Sequence, residues 1–399
     1  ITPCARSSVR TDIKSSRPLR AGDLERYVLL LNDVPGVQAR AVLGPGSVPG
    51  SADLVLQITQ RRINAGASTD SRGSRAQGRS RTFGNLALHS LIGASDTEIR
   101  AVTTGTPELL YVNATHEQLI GSQGTRFGVS GSYVYSQPQE LTFVPLDLTT
   151  KSQTYSVSLL HPLVRSRSTN LNVRAALSSF DSTSTVFGLE DTTDRLRAVR
   201  VGLTYDTSDR LGGITIADAE FSQGLRGLGA STNGDRFLSR TSGRTDFRKA
   251  TLYAARLQAL PANFSILAGV NGQYAFTDLL APELFSWGGE QFGRGYDFAE
   301  ILNDHGAALK VDLRYTLTTG GRRVTSFIPY GFYDRGQVWQ RTAVAGLERS
   351  QSAASAGVGL RLTIGATISS FVEFAKPLDK VIGQENNRDP RVYAGFSIQ

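Results

Sequence analysis

The sequence predicts a membrane β-barrel of about sixteen antiparallel strands over residues 61–399, preceded by a small mixed α+β segment over residues 1–60. Three observations carry this reading. From Arg61 onward, segments of about 10 to 14 residues alternate apolar and polar positions, the period of a strand. Clusters of Gly, Asp, Asn, Ser and Pro separate them, as turns and loops require. Where the alternation is cleanest, one face is wholly apolar and the other carries charge at nearly every step.

The amino-terminal segment has a different texture. "AGDLERYVLLLND" sets Leu24, Tyr27, Val28 and Leu31 at helical spacing and runs into "DVPG", a Pro-Gly stop. Two short alternating stretches follow, 37–43 and 52–60, joined by the turn-rich "GPGSVPGS". A helix on a small sheet of this size cannot bury a stable core alone. Cys4 is the one cysteine, so no intrachain disulfide forms, and it reads as a terminal thiol without a role. The absence of methionine, position 1 included, is expected of a chain that begins after a processing or cleavage boundary.

The remaining segments include "RFGVSGSYVYS", "SQTYSVSLLH", "NLNVRAALSSF", "RAVRVGLTYD", "ATLYAARLQAL", "FSILAGVNGQYAF", "ALKVDLRYTL", "SFIPYGFYDRG", "AGVGLRLTI", "ISSFVEFA" and "RVYAGFSIQ". Roughly 340 residues over sixteen strands leave about 21 for each strand and its connection, which fits about 10 to 12 residues of strand with alternating short turns and longer loops. In "ALKVDLRYTL" Leu309, Val311, Leu313, Tyr315 and Leu317 share one face, and Lys310, Asp312, Arg314 and Thr316 the other. In "RAVRVGLTYD" Val199, Val201, Leu203 and Tyr205 oppose Ala198, Arg200, Gly202 and Thr204. So many long two-faced strands in an open sandwich would leave two aggregation-prone edges. Closing the sheet removes both edges, sets the charged faces in a wet lumen and turns the apolar faces to lipid with every backbone group paired. Tyr133, Tyr135, Phe180, Tyr205, Tyr253, Tyr274, Phe276 and Tyr315, near segment ends, are expected to form interfacial girdles. The last strand places Val392, Ala394, Phe396 and Ile398 on one face. Barrels of this class end in an aromatic residue on the lipid face, so the chain is expected to stop one or a few residues short of it.

Other chemistries find little support. No apolar run approaches the roughly 18 residues of a spanning helix. The formal net charge of +8 invites a nucleic-acid reading, but Arg and Lys are scattered singly among apolar residues and no nucleic-acid partner is expected. "SWGGEQFGRGYDFAEILNDHG", residues 286–306, is rich in glycine yet lacks the Lys-Ser/Thr ending of a phosphate loop. Glu283, Glu290, Asp297, Glu300 and Asp304 match no EF-hand spacing, and His89, His116, His161 and His305 have no metal-ligand spacing. There is no Gly-x-Ser-x-Gly elbow. No metal, cofactor or catalytic group is expected.

Two motifs carry a family resemblance that runs over essentially the whole chain. "GGEQFGRGYD" resembles the Val-Arg-Gly-Phe/Tyr loop motif of the BamA-like superfamily, with Gly293 in place of Val, and "FYDRG" (Phe332 to Gly336) resembles its partner motif Phe-x-Asp-x-Gly. By count, the first lies between strands 11 and 12 and the second on strand 13. The run from Arg17 to Ile58 is similar to the second half of a POTRA domain. Together these resemble the two-partner secretion transporters of the haemolysin secretion and activation type. The resemblance implies an outer-membrane translocator that exports an unfolded, large β-helical adhesin or haemolysin, with the POTRA part in the periplasm. Implied partners are that secreted protein, outer-membrane lipid and, during biogenesis, the barrel-assembly machinery and periplasmic chaperones. It also implies that the loop over residues 280–304 folds back into the lumen and that Arg294 meets Asp334 on the wall, supported by Gly293, Gly295, Tyr296, Phe332 and Gly336. The residues agree independently, since Phe332, Asp334 and Gly336 share one strand face and Tyr333 and Arg335 the other. The pair is expected to be only partly desolvated, positioning the loop more than stabilising it. The family usually has two POTRA domains and a plug helix, of which only the end of one POTRA is expected here. The alternatives are a barrel-assembly insertase of the same superfamily and a general porin.

Overall fold

The computed structural model describes residues 21–45, 52–104, 108–140, 143–319, 324–343, 346, 348–365 and 367–399. Cys4 and most of the turn between the first two strands lie outside them. Helix α1 (Ala21–Asn32) is followed by strands β1 (Val37–Pro45) and β2 (Ala52–Gln60), which pair antiparallel from Val37↔Gln60 to Pro45↔Ala52. Leu30, Leu31, Val34 and Val37 are the buried residues of this small unit. The chain reverses at Gly36, whose φ of +71° favours glycine.

The chain then continues through β3 (Ile63–Asp70), β4 (Arg81–His89), β5 (Ser95–Thr103), β6 (Leu109–Ile120), β7 (Thr125–Ser136), β8 (Thr149–Arg165), β9 (Thr169–Val186), β10 (Leu189–Ser208), β11 (Gly213–Gly224), β12 (Arg248–Ala259) and β13 (Phe264–Ala275). After two short strands, β14 (Phe285–Trp287) and β15 (Ile301–Asn303), come β16 (His305–Tyr315), its brief continuation β17 (Leu317–Thr318), β18 (Val324–Trp339), β19 (Ser350–Ile364), β20 (Ile368–Pro377) and β21 (Arg391–Ile398). Among the described residues, sixteen strands pair antiparallel with their sequence neighbours and β21 closes on β3, so the sheet is a closed barrel. Strand lengths spread more widely than the alternation suggested. β3 has 8 residues while β8, β9 and β10 have 17, 18 and 20, more than the roughly 10 needed to cross lipid, so this sector stands above the rim.

The two faces part as the sequence indicates. Val199, Val201, Leu203 and Tyr205 of β10 and Leu309 and Leu313 of β16 are exposed on the outside, whereas Ala198 and Asp312 are buried inside. Of the aromatics assigned to girdles, Tyr253 and Phe180 are corrections. Tyr253 packs inward on Phe292 at 6.3 Å, and Phe180 packs on an inner cluster that includes Leu196 and Phe247. Both lie well inside their strands, β12 and β9, on the inward side of the alternation, and aromatic character does not by itself reveal which face a residue occupies.

The α1 unit sits under the barrel at the rim of short turns. The Asp33 carboxylate takes Arg165 Nη2 and Nε at 2.6 and 2.8 Å, its carbonyl takes Arg126 at 3.0 Å, and Glu25 accepts the Arg167 N–H at 3.0 Å. The long connections leave from the opposite, far rim.

The outer face gives a direct test of the membrane assignment. Val358, midway along β19, is 61% exposed on the outside. Val358→Arg is expected to cost about 2–4 kcal/mol of insertion in bilayers. The fraction of barrel migrating as folded in unheated gels should fall, and an unchanged fraction would mean that this face does not meet lipid.

Candidate functional site: an inward loop seated on the lumen wall

Residues 276–304 connect β13 to β16 at the far rim and fold into the barrel. A wall of sixteen strands leaves an aqueous space of porin-like width, so a loop can enter without displacing a packed core. Its two ends are pinned by charge. Arg240 grips Asp304 at 2.7 and 3.2 Å, and the Leu279 N–H donates to the same carboxylate at 2.9 Å. Glu283 pairs with Arg200 at 2.5 Å and Lys249 at 2.8 Å, while its carbonyl accepts Lys249 and Gln273, each at 2.9 Å. Between these anchors β14 and β15 pair from Phe285↔Asn303 to Trp287↔Ile301. Their apolar side chains, with Phe292 and Tyr296, pack on Ala308, Val338 and Ala353 of the wall. The loop thus carries its own small core.

Arg294 lies at the deep end. Its Nε and Nη2 donate to the two oxygens of Asp334 at 2.9 and 2.7 Å, and Nη2 also donates to Asp312 at 2.7 Å. The backbone N–H groups of Gly293 and Arg294 donate to Asp334 Oδ2 at 3.2 and 3.0 Å. The guanidinium lies 3.7 Å from the centre of the Phe332 ring, a cation–π contact on the strand that supplies Asp334. This bidentate fork with a planar stacked face needs arginine, because a lysine can set a point charge over the ring but can neither fork nor stack. By barrel count the loop joins strands 11 and 12, and Phe332, Asp334 and Gly336 project inward from strand 13.

The remaining candidates shape the seat. Gly293 has φ +98°, a region that strains any side chain, and it brings its amide to Asp334. Gly336 is a close approach, since a Cβ there would stand 2.3 Å from Trp287 Cδ1. Gly295 passes between Ser355 and Pro377 of β19 and β20 with no room for a side chain. The Tyr296 hydroxyl donates to the Lys380 carbonyl at 2.8 Å, and its ring lies 5.2 Å from that of Trp287.

The expectation of a half-solvated pair is overturned. Arg294 is 5% exposed, Asp312 2% and Asp334 0%. The loop's own apolar cluster and the Phe332 ring exclude the water that would have screened the pair. Charge is balanced locally instead. Asp312 also accepts Arg314 at 2.7 Å, and Glu373, 3.9 Å from Arg294, pairs with Arg72 at 3.0 Å and accepts the Tyr330 hydroxyl at 2.7 Å. Three arginines thus meet three carboxylates, with Lys310 beside Asp334 on the neighbouring strand. Asp312 was already placed on the lumen face by alternation. Trp287, Tyr330, Arg72 and Glu373 carry no local signal, because each meets a partner at this seat that lies more than forty residues away.

Electrostatics hold the loop at neutral pH. Burial opposes the Arg294 charge, and the Asp334 and Asp312 carboxylates outweigh it, raising the group above its ordinary value. Burial likewise opposes ionisation of Glu283 and Asp304, and the cations Lys249, Arg200 and Arg240 outweigh it, so both carboxyls are held below their usual range. A depressed folded value means stabilisation that is present above about pH 4 and lost as pH falls through the folded value. Barrel conductance is therefore expected to rise on acidification below about pH 4. A conductance flat down to about pH 3 would show that these carboxylates do not hold the loop.

The carboxylates Glu283, Glu290, Asp297, Glu300 and Asp304 are separately engaged. Glu283 and Asp304 bind the cations above, Asp297 pairs with Arg391, Glu290 lies near Arg81, and Glu300 accepts the Gly383 N–H. Among the described residues no group of three or more His, Cys, Asp or Glu is placed to hold a metal.

Comparisons with known proteins fit this geometry. Residues 50–362 match the family described as haemolysin secretion/activation protein ShlB/FhaC/HecB. The chain is 27% identical over 398 residues to the heme/hemopexin transporter protein HuxB of Haemophilus influenzae, covering 95% of this chain and 67% of the relative. It is 26% identical over 309 residues to the outer membrane transporter CdiB of Dickeya dadantii, covering 74% of this chain and 54% of that protein. Among solved structures, CdiB from Escherichia coli superposes with a TM-score of 0.77 at 18% identity, over 92% of this chain and 69% of that one. BamA from Haemophilus ducreyi lacking POTRA domains 1–3 gives 0.61 at 12% identity, over 98% and 82%. These structural likenesses speak for the fold alone. The chain spans about two thirds of the length of HuxB.

Proposed function

This chain belongs to the haemolysin secretion/activation family, outer-membrane transporters of two-partner secretion, and from that premise we propose that it exports one large, unfolded, β-helical partner through its lumen past a loop seated by Arg294. The observation that carries the proposal is the buried Arg294–Asp334–Asp312 group. It fixes the loop in the path that a translocating chain would take. Export then requires a second state in which the loop has left its seat. A partner drives that change only by binding the open state better than the closed one. The far rim is the cell-surface side in this reading. Folding of the partner outside would bury surface and prevent return, so no nucleotide or catalytic step is involved.

Residues 21–60 act in this reading as the end of a periplasmic POTRA domain. An extended segment of the partner would add to a free sheet edge, at residues 37–43 or 53–60, where main-chain hydrogen bonds give affinity without demanding one sequence. Biogenesis would pass through periplasmic chaperones and the barrel-assembly machinery, as for any barrel that must reach the outer membrane unfolded.

The test compares secreted protein from cells with the gene, without it, and with Arg294→Ala. Loss of one large protein from the medium in the deletion, and a sharp fall in the Arg294 strain, is the expected result. If no secreted protein changes while many outer-membrane proteins decline, the barrel is an insertase. A pore that is steadily open in single-channel recordings and serves no secreted partner would make it a porin.

A further inference from the structure

The barrel wall is not paired evenly. Among the described residues, and with β17 counted as part of β16, neighbouring barrel strands share eight or more residue pairs, as β20–β21, β3–β4 and β4–β5 do with eight each, except where the first strand meets the last. There β3 and β21 share four, from Gly395↔Asp70 to Ile398↔Ala67. Backbone hydrogen bonds alone make this the least secured seam of the wall. Ser71 extends it by one step, its N–H donating to the Ala394 carbonyl at 3.0 Å and its hydroxyl accepting the Ala394 N–H at 2.9 Å.

The next residue turns into the lumen. The Arg72 N–H donates to Asp70 Oδ1 at 2.9 Å, and Asp70 is itself held by Arg81 through two contacts of 2.8 Å. From that fixed turn the Arg72 side chain, almost wholly buried, crosses the inner face of β21 to reach β20. Its guanidinium lies 5.1 Å from the Tyr393 ring and 4.6 Å from the Phe371 ring, and Nη2 stands 3.0 Å from Glu373 Oε1. Tyr393 is the register partner of Glu373 across β20 and β21. One side chain therefore links the first strand to the last strand and to the one before it. It does so with a cation over two aromatic faces and a buried ion pair, contacts that gain strength where water is excluded.

Glu373 has a second commitment. Its Oε2 accepts the Tyr330 hydroxyl and faces Arg294 Nη1 at 3.9 Å. The same loop also grips the last strand directly, through Asp297 and Arg391 at 2.7 and 3.1 Å. Removing the loop would leave Glu373 with one cation fewer, a reopened wet face, and Arg391 without Asp297.

We propose that Arg72 clasps the barrel seam from the lumen side, and that Glu373, shared between Arg72 and the seated Arg294, makes closure of the seam depend on seating of the loop. Arg72 and Glu373 are positioning residues here. They hold the wall shut while the loop is in, and the seam loosens when the loop leaves.

Hydrogen exchange of the full chain in lipid nanodiscs, followed by mass spectrometry, tests this. Arg72→Gln is expected to speed exchange by about tenfold or more in peptides covering residues 67–71 and 394–398, with β11 and β12 unchanged as internal reference. Arg294→Gln, which leaves Arg72 in place, is expected to speed the same two peptides. Should Arg72→Gln fail to fold, Tyr393→Leu removes one stacking face and keeps the ion pair, with a smaller rise expected in the same peptides. An unchanged seam, or an equal rise in β11 and β12, overturns the clasp. A seam response to Arg72→Gln with none to Arg294→Gln overturns its dependence on the loop. No secreted partner enters the measurement, so its failure is distinct from failure of the export reading.

Discussion

Arg294→Ala is expected to raise the conductance of the barrel and to cut export sharply. The substitution leaves Asp334 and Asp312 buried beside Phe332, with Asp312 keeping Arg314 and Asp334 losing its cation. Removing one partner of a buried pair costs about 3–5 kcal/mol, most of it the penalty of stranding the other charge. Spent on the seated state alone, that shifts the balance of seated and released loop by roughly two to three and a half orders of magnitude, on the order of tenfold per 1.4 kcal/mol. Loss of the Arg294 side chain would loosen the β3–β21 seam and leave the rest of the wall paired, so the barrel should still migrate as folded. The measurement is single-channel conductance in planar bilayers beside secretion from cells. Conductance that stays low would mean that the other anchors, Arg240–Asp304 and the Glu283 pairs, hold the loop without it.

Gly336→Val is expected to unseat the same loop by shape rather than charge. A Cβ at this position stands 2.3 Å from Trp287, and the wall strand cannot retreat because it is paired on both sides. Valine suits a strand, so the barrel gains propensity while the loop loses its place. Overpacking of this kind costs about 1–3 kcal/mol, less than the Arg294 change, and the expected phenotype is a flickering pore with reduced export. The companion change Trp287→Ala in the Gly336→Val background removes the clashing indole and is expected to restore part of the closed state. If the pair is no better than Gly336→Val alone, the clash is not the cause.

Both predictions depend on features of different legibility. Alternation of apolar and polar residues is a local property with a period of two, so the barrel, its strand faces and the inward placement of Phe332, Asp334 and Gly336 could be read along the chain. Strand lengths were less legible, because β8, β9 and β10 continue past the membrane and nothing in alternation marks where lipid ends. Aromatic character alone did not give the face, and Tyr253 and Phe180, well inside β12 and β9, turn inward onto clusters made by other segments. The loop was visible as a glycine-rich stretch with a lone arginine, but its internal hairpin was not, since β14 and β15 are three residues each.

The alternation of the sequence by itself determined that this is a barrel; the inward loop and the meeting of Arg294 with Asp334 were implied by the resemblance of its two motifs. The first follows from local periodicity, the other two from the likeness to a known family. Only the tertiary structure decided how deeply the pair is buried, that Asp312 and Glu373 share its charge, that Trp287 fills the space left by Gly336, and that Arg72 reaches across the seam. Desolvation and charge balance are sums over groups brought together by barrel closure. No window of the chain contains them until the first strand meets the last.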